Sequence, residues 1–130
     1  MNVAGFVDAI DQIGDALAGP DPGLGPAQLP VHLLPAFGDT PVAAPCILVG
    51  WPVLSDPVTA AGSACGAYWS ATVDVTVVAE NTRGEQLPIL LDVVLAQLAQ
   101  HHLKVTDTTT DPYQLPDTPA GLPAVTLTVE

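Results

Sequence analysis

The stretch from Gly66 to Leu103 constrains this chain more than any other. It reads strand, turn, helix. In Ala71-Thr72-Val73-Asp74-Val75-Thr76-Val77, valines alternate with Thr and Asp, the pattern of a strand with one buried and one wet face. Extended from Ala67 to Glu80, it would bury Ala67, Trp69, Ala71, Val73, Val75 and Val77, with Tyr68, Ser70, Thr72, Asp74 and Thr76 outward until Val78 breaks the pattern. Asn81-Thr82-Arg83-Gly84 then interrupts it, and residues 86–103 run at helical spacing. Pro88 falls in the first turn of that helix, where a missing N–H costs nothing.

The second helix carries two apolar stripes. Leu87, Leu90, Leu91, Val94 and Leu98 form the natural core face. Ile89, Val93 and Ala96 lie on the far side, where a helix resting on a sheet should be polar. Two readings stand for this second stripe. Either another part of the chain covers it, or it is a subunit contact.

The remaining chain reads as follows. Residues 2–18 predict a first helix, with Val3, Phe6, Val7, Ile10, Ile13 and Leu17 on one face at ~100° per residue and Asp8, Asp11 and Asp15 opposite. Asn2 is its expected cap. Residues 19–30, rich in Gly and Pro, predict an irregular tether. An extended segment from Val31, a turn at Gly38-Asp39-Thr40-Pro41 and a short strand Cys46-Ile47-Leu48-Val49 follow. Residues 51–65 predict a loop, because Pro52, Pro57 and Gly62 punctuate them. Val105 to Thr108 predicts a short strand, residues 109–123 a Pro-rich loop, and Ala124 to Val129 a final strand. Together these make one domain over 1–130: helix 1–18, tether 19–30, and a sheet with helix 86–103 in 31–130.

Composition narrows the function. Charged residues make up 12% of the chain, about half of the usual share. Against 14 Asp and Glu stand 2 cations, Arg83 and Lys104, for a net charge of −12. No basic patch for gripping phosphates can be built from these, and an anionic membrane surface is disfavoured. The acidity keeps an apolar protein soluble, or keeps it from sticking to DNA passing close by. No basic start precedes an apolar run, so the expectation is a cytoplasmic product with Cys46 and Cys65 as free thiols; spacing alone leaves a disulfide open.

Candidate chemistry is sparse. His101 and His102, as adjacent helical residues, would point ~100° apart and could not share one ion. Gly62-Ser63-Ala64-Cys65-Gly66 lacks the strand-before, helix-after setting of a nucleophile elbow. Asp107, Asp111 and Asp117 do not match a calcium loop. There is no phosphate-binding glycine loop. The expectation is a protein that is not an enzyme and has no catalytic residue, metal or cofactor.

The order of elements carries a resemblance. An amphipathic helix, a Pro-rich tether and short strands lead to a long alternating strand ending Val75-Thr76-Val77-Val78-Ala79-Glu80. A short turn, the helix Leu87-Pro88-Ile89-Leu90-Leu91-Asp92-Val93-Val94, a polar loop and a last strand follow. This resembles the tail terminator (tail completion, minor tail protein U-like) family of long-tailed bacteriophages. The resemblance implies an α+β fold, a mixed or antiparallel β-sheet flanked by two main α-helices. It implies a virion protein, made in the host cytoplasm, that forms a hexameric ring at the head-proximal end of the tail tube. Such a ring stops tube polymerisation and joins the tail to head-completion proteins, while DNA passes through the lumen without specific binding. On that reading Ile89, Val93 and Ala96 are the candidate subunit interface. Thr109, Thr110, Asp111 and Tyr113 form a candidate docking loop for tube or connector subunits. A head-closure or head–tail connector protein is the nearest alternative. A small cytoplasmic ligand-binding domain, with Trp51, Trp69 and Tyr68 lining its pocket, is an alternative of another class.

Overall fold

Strand β5 (Ala67–Val78) is the spine of the molecule. The computed structural model describes residues 1–19, 24–33, 44–59, 67–80, 86–112 and 121–130, with backbone alone at 33, 56–59 and 67–68. Around β5 stand β1 (Asn2–Val3), β2 (Val31–Leu33), β3 (Cys46–Val49), β4 (Val53–Thr59), β6 (Val105–Thr110) and β7 (Ala124–Val129). Two helices, α1 (Phe6–Ala16) and α2 (Leu87–Gln100), complete the fold. The fold is α+β, as expected, with a mixed sheet of seven strands and two helices among the described residues. Only β2 and β3 run parallel; every other described pairing is antiparallel.

The two halves of β5 serve different neighbours. Val75 to Val78 pairs with β3 on one side and Val73 to Val78 with β7 on the other, giving the order β2-β3-β5-β7-β6. Residues 67–72 pair instead with β4 and β1. The valine alternation puts Val73, Val75 and Val77 into the main core, beside Ile47, Val49, Leu127 and Val129 of the flanking strands. Both helices complete that core, α1 with Ile13 and Ala16, α2 with Leu87, Val94 and Leu98.

The opposite face of the sheet is divided. At one end Cys46, Leu48, Val78, Leu122 and Ala124 form a small second core, so the break at Val78 marks a covered patch. Burial there pushes the Cys46 thiol up to about 11 by desolvation. Further along, the face is polar. Thr76 and Thr126, directly opposite each other, share a hydroxyl hydrogen bond of 2.9 Å, and the Thr128 hydroxyl donates to Asp74 Oδ1 at 3.4 Å.

Five expectations require correction. The first helix begins at Phe6, not Asn2. Asn2 and Val3 pair instead with Ser70 and Trp69, and Val3 is fully buried against Ala9 and Ala71. The cap is Gly5, with no side-chain cap; Asp8 in the first turn accepts the Ala4 N–H at 2.8 Å, an anion at the positive helix end. The buried face of α1 is also rotated from the expected one. Ala9, Ile13 and Ala16 are buried while Phe6 and Val7 are exposed.

Second, residues 51–65 are not all loop, since β4 occupies Val53–Thr59. Pro57 falls within a register shift between Ser55 and Val58, on a strand paired only with β5 among the described residues. Bulges and edges are where a residue without an N–H can sit in a sheet. Third, the tether holds order. A turn at Pro26–Gln28 is closed by a bridge between Leu24 and Pro30, and the Gly19 N–H donates to the Leu24 carbonyl at 2.9 Å. Fourth, β6 extends to Thr110, so Thr109 and Thr110 belong to a strand, not to a loop. The turn expected at 38–41 lies outside the described residues.

Fifth, the second helix stops at Gln100 and not at residue 103, so His101 and His102 lie beyond it and are not helical as expected. His102 has φ 58°. Its N–H donates to the Ala99 carbonyl at 3.1 Å, and the Leu103 N–H reaches the Leu98 carbonyl at 3.0 Å. This is a Schellman motif with a left-handed histidine where glycine is usual. His102→Gly should therefore raise stability by about 1 kcal/mol, the relief of the left-handed strain less part of the added unfolded-state entropy. Urea unfolding followed by circular dichroism reads this directly.

Candidate functional site

α2 presents its second stripe to solvent. Leu87, Val94 and Leu98 turn inward because they sit three and four residues apart. Ile89, Val93 and Ala96, at the same spacing on the other side, stay exposed, Ile89 at 66% and Val93 at 38%. No described part of the chain covers them. The three residues expected as a subunit interface thus share one exposed helical face. Leu95, at the border of the core face rather than on this stripe, is also exposed and was not singled out by the sequence.

A second apolar surface lies at the β1–β4 end of β5. A cleft of about 630 Å³ is lined by Gly5, Phe6, Pro52, Val53, Leu54 and Trp69. The start of α1 supplies Phe6, whose ring stands 6.4 Å from that of Trp51 at a tilt of 59°. Trp51 is 60% exposed and Val53 is 67% exposed. On the ligand-binding alternative Trp51, Trp69 and Tyr68 would line a pocket; of these, Trp69 lines the cleft. Trp51 instead flanks it through Phe6, and the Tyr68 side chain lies outside the described residues. The sequence reading missed Phe6, Pro52, Val53 and Leu54 as lining. The available signal was the apolar run Trp51-Pro52-Val53-Leu54, which a solvated loop does not explain.

The expected docking loop is dispersed. Thr109 and Thr110 end β6 with their side chains exposed. Thr110 and Asp111 line a depression of about 260 Å³ with Leu87, Pro112 and Leu122. Tyr113 lies outside the described residues. The β6 edge is locally guarded. Asp107 Oδ1 accepts the Thr108 N–H at 2.9 Å, and the register shifts between Val105 and Asp107. A charge and a bulge on an edge strand both discourage unplanned pairing.

No group of three or more His, Cys, Asp or Glu among the described residues is placed to hold a metal ion. Cys46 is a free, buried thiol, while Cys65 lies outside the described residues. No described helix is long and apolar enough to cross a membrane. No family model matches the chain, and no curated protein matches it.

Proposed function

We propose that this chain is a structural subunit that works by assembling, as a phage tail terminator forming a ring at the head-proximal end of a tail tube. The observation that carries the reading is the exposed stripe Ile89, Val93 and Ala96 on a helix whose other face is fully engaged in the core. Apolar patches of this kind on an acidic, charge-poor chain mark protein contacts. The ring would stop tube growth and join the tube protein to a head-completion or connector protein. Its net charge of −12 per copy would let DNA pass without retention.

The test is direct. Mass photometry and negative-stain imaging of the purified chain should reveal closed rings with a central hole. Val93→Glu should weaken self-association by at least about tenfold, or roughly 1.4 kcal/mol, with an unchanged circular dichroism spectrum. A strict monomer at high concentration, indifferent to Val93→Glu, would sink the reading. Rings that bind a head-completion protein but not a tube protein would favour the head-closure connector instead.

A second reading has its own support. The cleft at Phe6 and Trp69 has the size of a small-molecule site and favours a ligand-binding domain. A stable monomer that takes up a fluorescent apolar probe in that cleft would favour it.

A further inference from the structure

The geometry points to a quaternary ammonium with an apolar body as the ligand of the aromatic cleft. This inference rests on the ligand-binding reading of that cleft, and it holds whether or not copies of the chain assemble.

Three observations lead there. First, the aromatic side chains are gathered. Phe6, Trp51 and Trp69 are the described aromatic side chains of the chain, and all three stand at this one cleft. They come from three separate segments, and none of them is buried. Phe6 and Trp51, 6.4 Å apart and tilted by 59°, stand as two walls rather than a stack. Second, the lining suits a charge that needs no hydrogen bond. Among the side chains of Gly5, Phe6, Pro52, Val53, Leu54 and Trp69, the Trp69 indole N–H is the one polar group, and it only donates. A primary ammonium would give up its hydrogen bonds to water there and find no side-chain acceptor. A quaternary ammonium has no N–H to satisfy, and the negative faces of aromatic rings attract its charge.

Third, the rim is negative. An adjoining hollow shares Gly5 and Phe6 with the cleft and is lined by Asp8 and Asp11. Asp8 accepts the Ala4 N–H and the Gln12 side-chain amide, while Asp11 is exposed. Lys104, the one Lys or Arg among the described residues, precedes β6, which β7 separates from β5. With a net charge of −12 the chain draws a cation in and turns an anion away. The apolar walls at Pro52, Val53 and Leu54 then take up the body of the ligand.

The test needs no label, because the 2 tryptophans of the chain, Trp51 and Trp69, both stand at the cleft and their fluorescence reports its occupancy. Titrated with benzyltrimethylammonium, the protein should bind it about tenfold more tightly than benzyl alcohol or benzylamine, and benzoate should not register. Phe6→Leu keeps the apolar bulk and loses the ring, and should weaken binding about fivefold with an unchanged circular dichroism spectrum. Asp11→Asn should weaken it about twofold at low salt, an effect that fades as salt rises. Benzyl alcohol binding as tightly as benzyltrimethylammonium, or undiminished binding to Phe6→Leu, would overturn the inference and leave the ligand-binding reading standing. A cleft that takes up neither the benzyl compounds nor an apolar probe would overturn both.

Discussion

Leu98→Ala should cost about 3 kcal/mol of folding stability, with a range of roughly 2–5 kcal/mol for such truncations. Leu98 is fully buried in the main core among side chains from β3, β5, β7 and both helices. Removing its branched end takes apolar area out of the core and leaves a cavity that rigid sheet neighbours cannot fill. The residue also sits in the last turn of α2, where its carbonyl accepts the N–H groups of His101 and Leu103. Those backbone bonds survive the change, so the loss reports packing alone. In a domain of this size the midpoint of thermal unfolding should fall by roughly 10 °C. The measurement belongs in the Val93→Glu background, so that subunit dissociation does not contribute. Leu95→Ala, on the exposed flank of the same helix, should cost far less. Equal costs at the two positions would contradict the packing of α2.

Gly19→Ala is the second large effect, an expected loss of about 2 kcal/mol from overpacking. A Cβ at Gly19 would collide with the Leu24 carbonyl oxygen, with the Leu24 carbon at 3.2 Å and the Gly25 oxygen at 3.3 Å. All three are backbone atoms and cannot rotate away. They are themselves held by the Leu24–Pro30 bridge and by the Gly25 N–H donating to the Leu29 carbonyl at 2.8 Å. Yielding would break the Gly19–Leu24 hydrogen bond that closes this segment onto the end of α1. Gly14 supplies the control. It is exposed in the middle of α1, nothing lies within 4 Å of its would-be Cβ, and Gly14→Ala should stabilise by about 1 kcal/mol. Urea midpoints moving in opposite directions for the two variants would verify both environments. A stable Gly19→Ala protein would mean that the turn does not close as described.

The parts of the fold that were legible in the sequence are those with several periods of pattern. The alternation from Ala71 to Val77 located β5 and its buried face, and the alternation of Val125, Leu127 and Val129 located β7. The core stripe of α2 was readable for the same reason, and with it the exposed stripe opposite. What failed lacked a period. β1 has two residues, and Val3 happened to fall at helical spacing from Ile10, so it was absorbed into the helix. Phe6 shares the angular position of the buried residues of α1, but it sits at the helix start, where its ring meets the exposed Trp51 instead. β4 was hidden by Pro57, whose place in a bulge is decided by the register of β5 and not by its own neighbours. The cleft was half legible. Trp69 was named, but its meeting with residues 5–6 and 52–54 depends on a pairing between distant segments, which local composition does not encode.

The position of β7 has a consequence for the order in which the sheet can form. It is the last of the described strands to be synthesised, yet it enters the sheet between β5 and β6. Until residues 124–129 are made, one side of β5 from Val73 to Val78 lacks the neighbour it has in the finished sheet, and β6 lacks β7. The Thr76–Thr126 pair closes over 50 positions of sequence. Long-range pairing of this kind puts folding on the order of milliseconds to seconds. Six residues late in the order of synthesis thus close the middle of the sheet.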